Sequence, residues 1–192
     1  MTRQQVAEIQ RARMLRALAD AMAGQGYVAT TVADVLSRAG VSRETFYQQF
    51  ASKQDCFQAA YEVAASRVLS ILQAEVTSQG TALERFDRAI SAYLDELARE
   101  PAFARLFMIE VYSAGAEVLA QRAEIQRRFT KLVIAGLGAR GRAERFACEA
   151  LVSAVTMLVT SRLAAGDIKG IRALRRPLVE LVAEALTRLQ VA

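Results

Sequence analysis

The sequence predicts an all-α protein, with an N-terminal three-helix domain built around a helix-turn-helix and a larger helical bundle after it. Only two prolines occur in 192 residues, so long helices are permitted almost everywhere. Apolar residues recur three or four positions apart, which is the spacing of a helix face. Residues that cap helices precede many of these periodic segments, and glycines follow several of them.

The first periodic segment starts near Val6 and predicts an amphipathic helix that ends at Gly24 or Gly26. A Thr-x-x-Asp capping signal follows at Thr31 and Asp34. In this signal the Thr31 hydroxyl accepts a hydrogen bond from the Asp34 amide, and the carboxylate favours the positive end of the helix. The sequence therefore predicts that a second helix begins directly after Thr31.

A tight turn and a short third helix follow. Gly40 suits the left-handed conformation that closes a helix, and Ser42 is a natural N-cap for a helix over Arg43–Gln49. Phe46 and Phe50 lie four residues apart and are expected to face inward. Two short helices joined by a glycine-containing turn form a helix-turn-helix.

The rest of the chain is also predicted to be helical. A capping signal at Ser52 opens a fourth helix that reaches about Gln79, and a capping box at Thr81 opens a fifth that reaches about Arg99. Pro177 implies that the final helix begins near Arg176 or kinks there. The other predicted elements are a helix from Pro101, a helix from about Gly115 through Ile134, a loop over Gly136–Gly141, a helix from about Arg142 to Ala165, and a last helix ending near Gln190.

Composition argues against an enzyme. Without histidine the chain has no Ser-His-Asp triad, no Cys-His pair and no histidine-ligated zinc site. Cys56 and Cys148 are far apart and lack CxxC spacing, which is typical of reduced, ordinary thiols. We therefore expect no catalytic residue, no metal and no cofactor. The net charge of +5 is compatible with a nucleic-acid partner but does not establish one.

The chain is expected to be cytoplasmic and free of membrane segments. It has no run of 18 apolar residues without a charge, and its N-terminus lacks the apolar core of a signal peptide. It also has no glycine-rich phosphate-binding loop of the usual spacing.

The segment from Gly26 to Phe57, GYVATTVADVLSRAGVSRETFYQQFASKQDCF, resembles the DNA-binding domain of TetR-family regulators. The resemblance joins five features in register: Gly-Tyr after the first helix, Thr-Thr before the second, an Ala-Gly-Val-Ser turn, Thr-Phe-Tyr-x-x-Phe in the third helix and Ser-Lys before the fourth. Beyond this segment only length, helicity and layout are similar. The resemblance implies a DNA-binding domain over residues 1–52 and an effector-binding and dimerisation domain over residues 53–192.

By this resemblance, the third helix is the recognition helix. Arg43 suits guanine, Gln48 suits adenine, and Thr45 suits a thymine methyl group or a phosphate. Glu44 does not fit a surface that attracts DNA, because a carboxylate near phosphate is repelled. Its presence is favourable only if it accepts a hydrogen bond from a cytosine amino group. The same capping residues would cap helices without DNA. The predicted DNA-binding residues are Thr31, Ser42, Arg43, Glu44, Thr45, Tyr47, Gln48 and Lys53, of which Thr31, Tyr47 and Lys53 are assigned to phosphates by their family positions.

For the second domain the resemblance implies two further roles. The middle helices enclose an effector cavity, and the last two helices pair with those of a second copy. An aromatic stripe is, however, also typical of an ordinary core. The predicted cavity residues are Phe86, Tyr93, Phe107, Glu110, Tyr112, Met157 and Arg162. The predicted interface residues are Leu151, Val155, Leu178, Leu181, Val182 and Leu186.

Glu110 and Arg162 are charged residues on otherwise apolar faces. If they project inward, each needs a partner, and a cavity ligand is one candidate. The alternatives are that they pair with each other, extend to solvent, or lie at the edge of an element.

These observations favour a homodimeric repressor that a small apolar or amphipathic effector releases from a palindromic operator. Two other classes stay open at this point. One is a helical sensor or protein-interaction module that has lost DNA binding, and the other is a small helical enzyme.

Overall fold

The computed structural model describes residues 2–191 and the side chains of residues 2–188. Within that range the chain forms helices, turns and loops without a β-strand, which confirms the all-α prediction. Met1 and Ala192, which the predicted domain ranges include, lie outside the described residues.

The helices follow one another with short connections. Their bounds are α1 Arg3–Ala29, α2 Val32–Ala39, α3 Arg43–Gln49, α4 Lys53–Val76, α5 Ala82–Arg99, α6 Pro101–Met108, a 3₁₀ turn Glu110–Ser113, α7 Ala116–Leu137, α8 Arg142–Ala164, α9 Ile168–Ala173 and α10 Arg175–Val191.

The chain divides into two compact units. The first unit contains the residues up to Ala65 together with Ala102–Arg122, and the second contains Ser66–Pro101 and the residues from Ala123 onward. The predicted division at residues 52 and 53 is a division by function, which this grouping by compactness does not test.

The predicted caps of the helix-turn-helix are present. The Thr31 hydroxyl accepts from the Asp34 amide at 3.2 Å, and the Asp34 carboxylate accepts from the Thr31 amide at 2.8 Å. Gly40 closes α2 in the left-handed conformation, with φ 62° and ψ 44°. The Ser42 hydroxyl accepts from the Thr45 amide at 3.0 Å. These local hydrogen bonds satisfy amide groups that the first turn of a helix leaves without intrahelical partners.

Two boundaries differ from the sequence prediction. Helix α7 continues through Gly136 to Leu137, so the loop is shorter than predicted. A separate helix, α9, precedes the last one, because the Asp167 carboxylate accepts from the Gly170 amide and starts a new helix there. The last helix begins at Arg175, in agreement with the predicted start near Arg176, and Pro177 lies in its first turn, where the missing amide proton costs no helical hydrogen bond.

The core of the first unit lies where α1, α2 and α3 pack together. Phe46 and Phe50 are buried as predicted, with ring centroids 5.5 Å apart. Val35 of α2 and Leu18 of α1 are also fully buried. This small core holds α3 against α1 and α2 and leaves its polar face in solvent.

In the second unit α5 packs against α9 and α10. Leu94 and Leu97 of α5 are buried, as are Ile171 of α9 and Leu178 of α10. Ion pairs flank this core, including a bidentate contact from Arg175 to Asp87 at 2.7 and 2.9 Å. The hydrogen bond from Arg175 lowers the pKa of the Asp87 carboxyl.

Helix α8 carries much exposed apolar surface. By length and composition alone it is long and apolar enough to cross a membrane. Of its apolar window, 22% is buried inside the protein. Phe146 is 70% exposed and Met157 is 64% exposed. Isolated apolar residues on a surface are ordinary, but a continuous apolar face is typical of an interface.

The two glycines Gly40 and Gly24 give a matched test of the α2 cap. Gly40→Ala is expected to lower the free energy of unfolding by about 1–2 kcal/mol, because a side chain is strained in the left-handed conformation. The added Cβ would also lie 2.9 Å from Nη2 of Arg13. Gly24 lies in regular helix with nothing within 4 Å of an added Cβ, so Gly24→Ala should stabilise by about 0.5–1 kcal/mol. Chemical denaturation measures both, and effects of the same sign would contradict this account.

Candidate DNA-binding surface

Helix α3 presents a polar face on an apolar base. Arg43, Glu44, Tyr47 and Gln48 are exposed, whereas Phe46 beneath them is fully buried. The Tyr47 ring stands edge-on to the Phe46 ring with their centroids 5.4 Å apart, and Tyr47 is 48% exposed. An exposed face of charged and amide side chains on a rigid short helix fits the major groove of DNA.

Two of the predicted base-reading residues are bonded to each other. The Gln48 side-chain amide donates to the Glu44 carboxylate at 3.2 Å, one helical turn away. This contact gives Glu44 a function that the sequence analysis missed, since it orients Gln48. It also leaves the Gln48 carbonyl available as an acceptor.

The C-terminal end of α3 is held by an arginine that the sequence analysis did not select. Arg11 of α1 donates to the Gln49 carbonyl at 3.4 Å, and its guanidinium lies 4.5 Å from the Phe50 ring centroid. A cation at a helix C-terminus interacts favourably with the partial negative charge there. Only the fold brings these residues together, because they are separated by 38 positions.

Thr31 and Thr45 have hydroxyls that are already engaged. The Thr31 hydroxyl donates to the Asp34 carboxylate at 2.7 Å, and this hydrogen bond lowers the pKa of Asp34. The hydroxyls of Thr45 and Ser42 lie 2.9 Å apart. In the free protein Thr31 therefore caps α2 and the Thr45 hydroxyl contacts Ser42, the cap of α3. The contacts of both threonines with DNA stay predictions.

Lys53 is half-buried and bonded within the protein. Its ammonium group donates to the Tyr27 carbonyl at 2.8 Å and to the Thr30 carbonyl at 2.7 Å. It also lies 4.2 Å from the Tyr27 ring centroid. Partial burial lowers the pKa of Lys53. Because an ammonium has three N–H donors, one stays available for the predicted phosphate contact.

The predicted effector residues are divided between the two units. Phe107, Glu110 and Tyr112 belong to the first unit, and Phe86, Tyr93, Met157 and Arg162 belong to the second. Neither unit gathers all seven by itself. Phe107 stacks on Tyr61 at 4.9 Å, and Tyr112 is 55% exposed beneath the guanidinium of Arg122.

Glu110 and Arg162 have different environments. Glu110 is buried at 7% exposure and accepts from the Tyr27 amide at 2.8 Å, so its partner comes from the protein itself. Arg162 is exposed at the end of α8 and lies 3.8 Å from the Asp167 carboxylate. Of the alternatives considered, Glu110 projects inward and Arg162 lies at an edge.

The predicted interface residues divide by burial. Val155, Leu178 and Val182 are buried within their own unit, so each has little surface left for a partner, and their place in an interface stays a prediction. Helical spacing does not distinguish the face toward the core from the face toward a partner. Leu151 and Leu186 are half-buried, and Leu181 is 55% exposed.

Metal binding and thiol chemistry have little support in the described part of the chain. No three acidic or cysteine side chains there form a group that could hold a metal ion. Cys56 is fully buried, and burial raises the pKa of its thiol to about 12. A thiol with such a pKa is a poor nucleophile at neutral pH.

Comparison with known proteins identifies the same segment of the chain. Residues 14–60 match the family described as bacterial regulatory proteins, tetR family. This range contains all of α2 and α3, and hence the whole helix-turn-helix. A comparison with curated proteins returns no match.

Several solved structures have a similar fold over nearly the whole chain. The fatty acid degradation regulator FadR from Bacillus halodurans has a TM-score of 0.76 at 17% identity, covering 88% of this chain and 96% of that one. FadR from Bacillus subtilis, solved in complex with stearoyl-CoA, has a TM-score of 0.76 at 20% identity with the same coverage of 88% and 96%. A bacterial regulatory protein in the tetR family from Rhodococcus RHA1 has a TM-score of 0.71 at 25% identity, covering 90% and 94%.

Proposed function

Residues 14–60 identify this chain as a member of the TetR family of bacterial regulatory proteins. From this we propose that it represses transcription from a palindromic operator until a small effector releases it. DNA binding is the general property, and the operator, the direction of control and the effector are the specific parts of the proposal. The proposed location is the cytoplasm, where the operator is.

The observation that carries the proposal is the exposed polar face of α3 on the buried Phe46. Arg43 at its N-terminal end is exposed and suits guanine, and the Glu44–Gln48 pair offers an acceptor and an amide to base edges. Phosphate contacts would come from Tyr47, Lys53 and the amides at the starts of α2 and α3. The carboxylates of Asp34 and Glu44 on the same surface favour the competing proposal of a helical sensor that no longer binds DNA.

We expect Arg43→Ala and Gln48→Ala to change base preference, because contacts to base edges carry sequence information. Tyr47→Phe should instead weaken binding to all sequences alike, since it removes only the hydroxyl and keeps the ring on Phe46. The measurement is titration against a randomised operator library at several salt concentrations. Tyr47→Phe and Gln48→Ala remove no charge and should keep the wild-type slope of log affinity against log salt, whereas loss of one cation that neutralises a phosphate would make this slope shallower by about 0.9.

Two results would decide against this surface. Unaltered base preference in both Arg43→Ala and Gln48→Ala would remove α3 as the recognition helix. Absence of any salt-dependent binding in the wild-type protein would favour the sensor module.

The proposed operator is palindromic because the proposed regulator is a dimer. The exposed apolar residues of the second unit support a dimer whose interface is formed by α8 and α10. Phe146 and Met157 are eleven residues apart, which is three helical turns, and Ala150 between them is also exposed. Leu181 of α10 is exposed too. A second copy of the same chain is the proposed cover, and two-fold symmetry would present two α3 helices about 34 Å apart.

Leu181→Asp and Met157→Asp are expected to give folded monomers, because each places a carboxylate in an apolar contact that forms only in the dimer. Val182→Asp is the matched control, since Val182 is 4% exposed and its replacement should unfold the second unit instead. Analytical ultracentrifugation with circular dichroism separates the two outcomes. If the Leu181 and Met157 variants sediment as dimers, the interface lies elsewhere.

The proposed effector is amphipathic, with an acyl chain as its apolar part. Tyr93 of α5 and Phe129 of α7 have ring centroids 6.4 Å apart in the second unit, and Phe86 is half-buried on α5. The FadR structure that holds stearoyl-CoA has a similar fold and supports the choice of this class. Met157 is not included in the proposed pocket, because it is mostly exposed.

We expect stearoyl-CoA to bind more weakly when operator DNA is bound, by roughly 5- to 150-fold, because coupling between two sites is reciprocal. Isothermal titration calorimetry with and without the operator measures this factor. Coenzyme A without an acyl chain is the control for the headgroup. Equal affinities in the two titrations would show that the ligand does not control DNA binding.

A further inference from the structure

The end of α1 is an interrupted helix whose last turn is held from both sides. Gly26 has φ 79°, which breaks the helix, and residues 27–29 form one more turn beyond the break. The Tyr27 amide donates to the Glu110 carboxylate at 2.8 Å. At the other end of the turn the carbonyls of Tyr27 and Thr30 accept from Lys53.

The charges of Glu110 and Lys53 suit the two ends of this last turn of α1. A carboxylate lies where a helical turn leaves amides unpaired, and an ammonium lies where it leaves carbonyls unpaired. The Glu110 oxygen that binds Tyr27 would lie 3.6 Å from a Cβ at position 26, so the carboxylate sits directly against the break. Its other oxygen lies 3.8 Å from Nη2 of Arg105.

Glu110 comes from a distant part of the chain. It is 83 residues from Tyr27, in the 3₁₀ turn after α6, and this segment completes the first unit. The turn that it holds leads directly into Thr31, the N-cap of α2. The direction in which α2 leaves this turn therefore depends on a contact that lies outside the helix-turn-helix in sequence.

We propose that Glu110 is a positioning residue for DNA binding. It touches no DNA. Its hydrogen bond to the Tyr27 amide keeps the last turn of α1 in the conformation that places Thr31 and Lys53 for the phosphates. This inference rests on the proposed DNA binding, and it differs from the sequence-based assignment of Glu110 to an effector pocket.

Two substitutions separate the hydrogen bond from the charge. Glu110→Gln keeps an acceptor oxygen at the same reach but removes the negative charge. Glu110→Asp keeps the charge and withdraws the carboxylate by ~1.5 Å, the length of one carbon–carbon bond. The matched control is Glu96→Asp, because Glu96 is a carboxylate of similar burial in the other unit, with ion pairs to Arg67 and Arg99.

The measurements are operator affinity by fluorescence anisotropy and hydrogen exchange of the Tyr27 amide by NMR. Glu110→Asp should weaken operator affinity about tenfold or more and exchange its Tyr27 amide faster, as expected when a hydrogen bond to a charged group is removed. Glu110→Gln and Glu96→Asp should stay within about threefold of the wild type in affinity, and both should keep slow exchange.

Three results would overturn the inference: wild-type affinity in Glu110→Asp, an equal loss in Glu110→Gln, or an equal loss in Glu96→Asp. The last result would mean that shortening any buried carboxylate lowers operator affinity to the same extent, wherever that carboxylate lies. If the wild-type protein binds no operator, the proposed function fails, and the Tyr27 exchange rates still decide the contact. Slow exchange in Glu110→Asp would then show that Glu110 does not hold the turn.

Discussion

The backbone between Gly26 and Thr30 must have its polar groups satisfied, and much of the first unit is arranged around this requirement. Thr30 is 1% exposed, and its hydroxyl donates back to the Gly26 carbonyl at 2.7 Å. The remaining groups need partners from elsewhere, because a buried amide or carbonyl without one is costly. Glu110 and Lys53 supply them. The starts of α2 and α4 and the 3₁₀ turn are thus tied to one short segment.

The helix-turn-helix surface carries both signs of charge. The Asp34 and Glu44 carboxylates would repel phosphate, but each has a structural use: Asp34 caps α2, and Glu44 holds Gln48. Under the proposed function, long-range attraction to DNA is modest, and discrimination between base sequences carries more of the binding. The free protein already holds Gln48 and Lys53 through hydrogen bonds.

The second unit separates two uses of apolar residues that look identical along the chain. Val182 and Leu181 are neighbours on α10, yet one is 4% and the other 55% exposed. The first stabilises the unit by leaving water, and the second leaves apolar area uncovered. The same division holds on α8, where Val159 is fully buried and Phe146 is 70% exposed. The exposed set gives the proposed dimer its physical basis.

The sequence by itself determined the elements whose signals are local. The Thr31–Asp34 box, the left-handed Gly40 and the Ser42 cap each depend on residues within a few positions, so their hydrogen bonds follow from spacing alone. The tertiary structure alone decided the partners of Glu110, Lys53 and Arg11, and which apolar residues of α8 and α10 stay exposed. Contacts across 23 to 83 residues depend on how helices pack, and helical periodicity states only that a face is apolar, not what covers it.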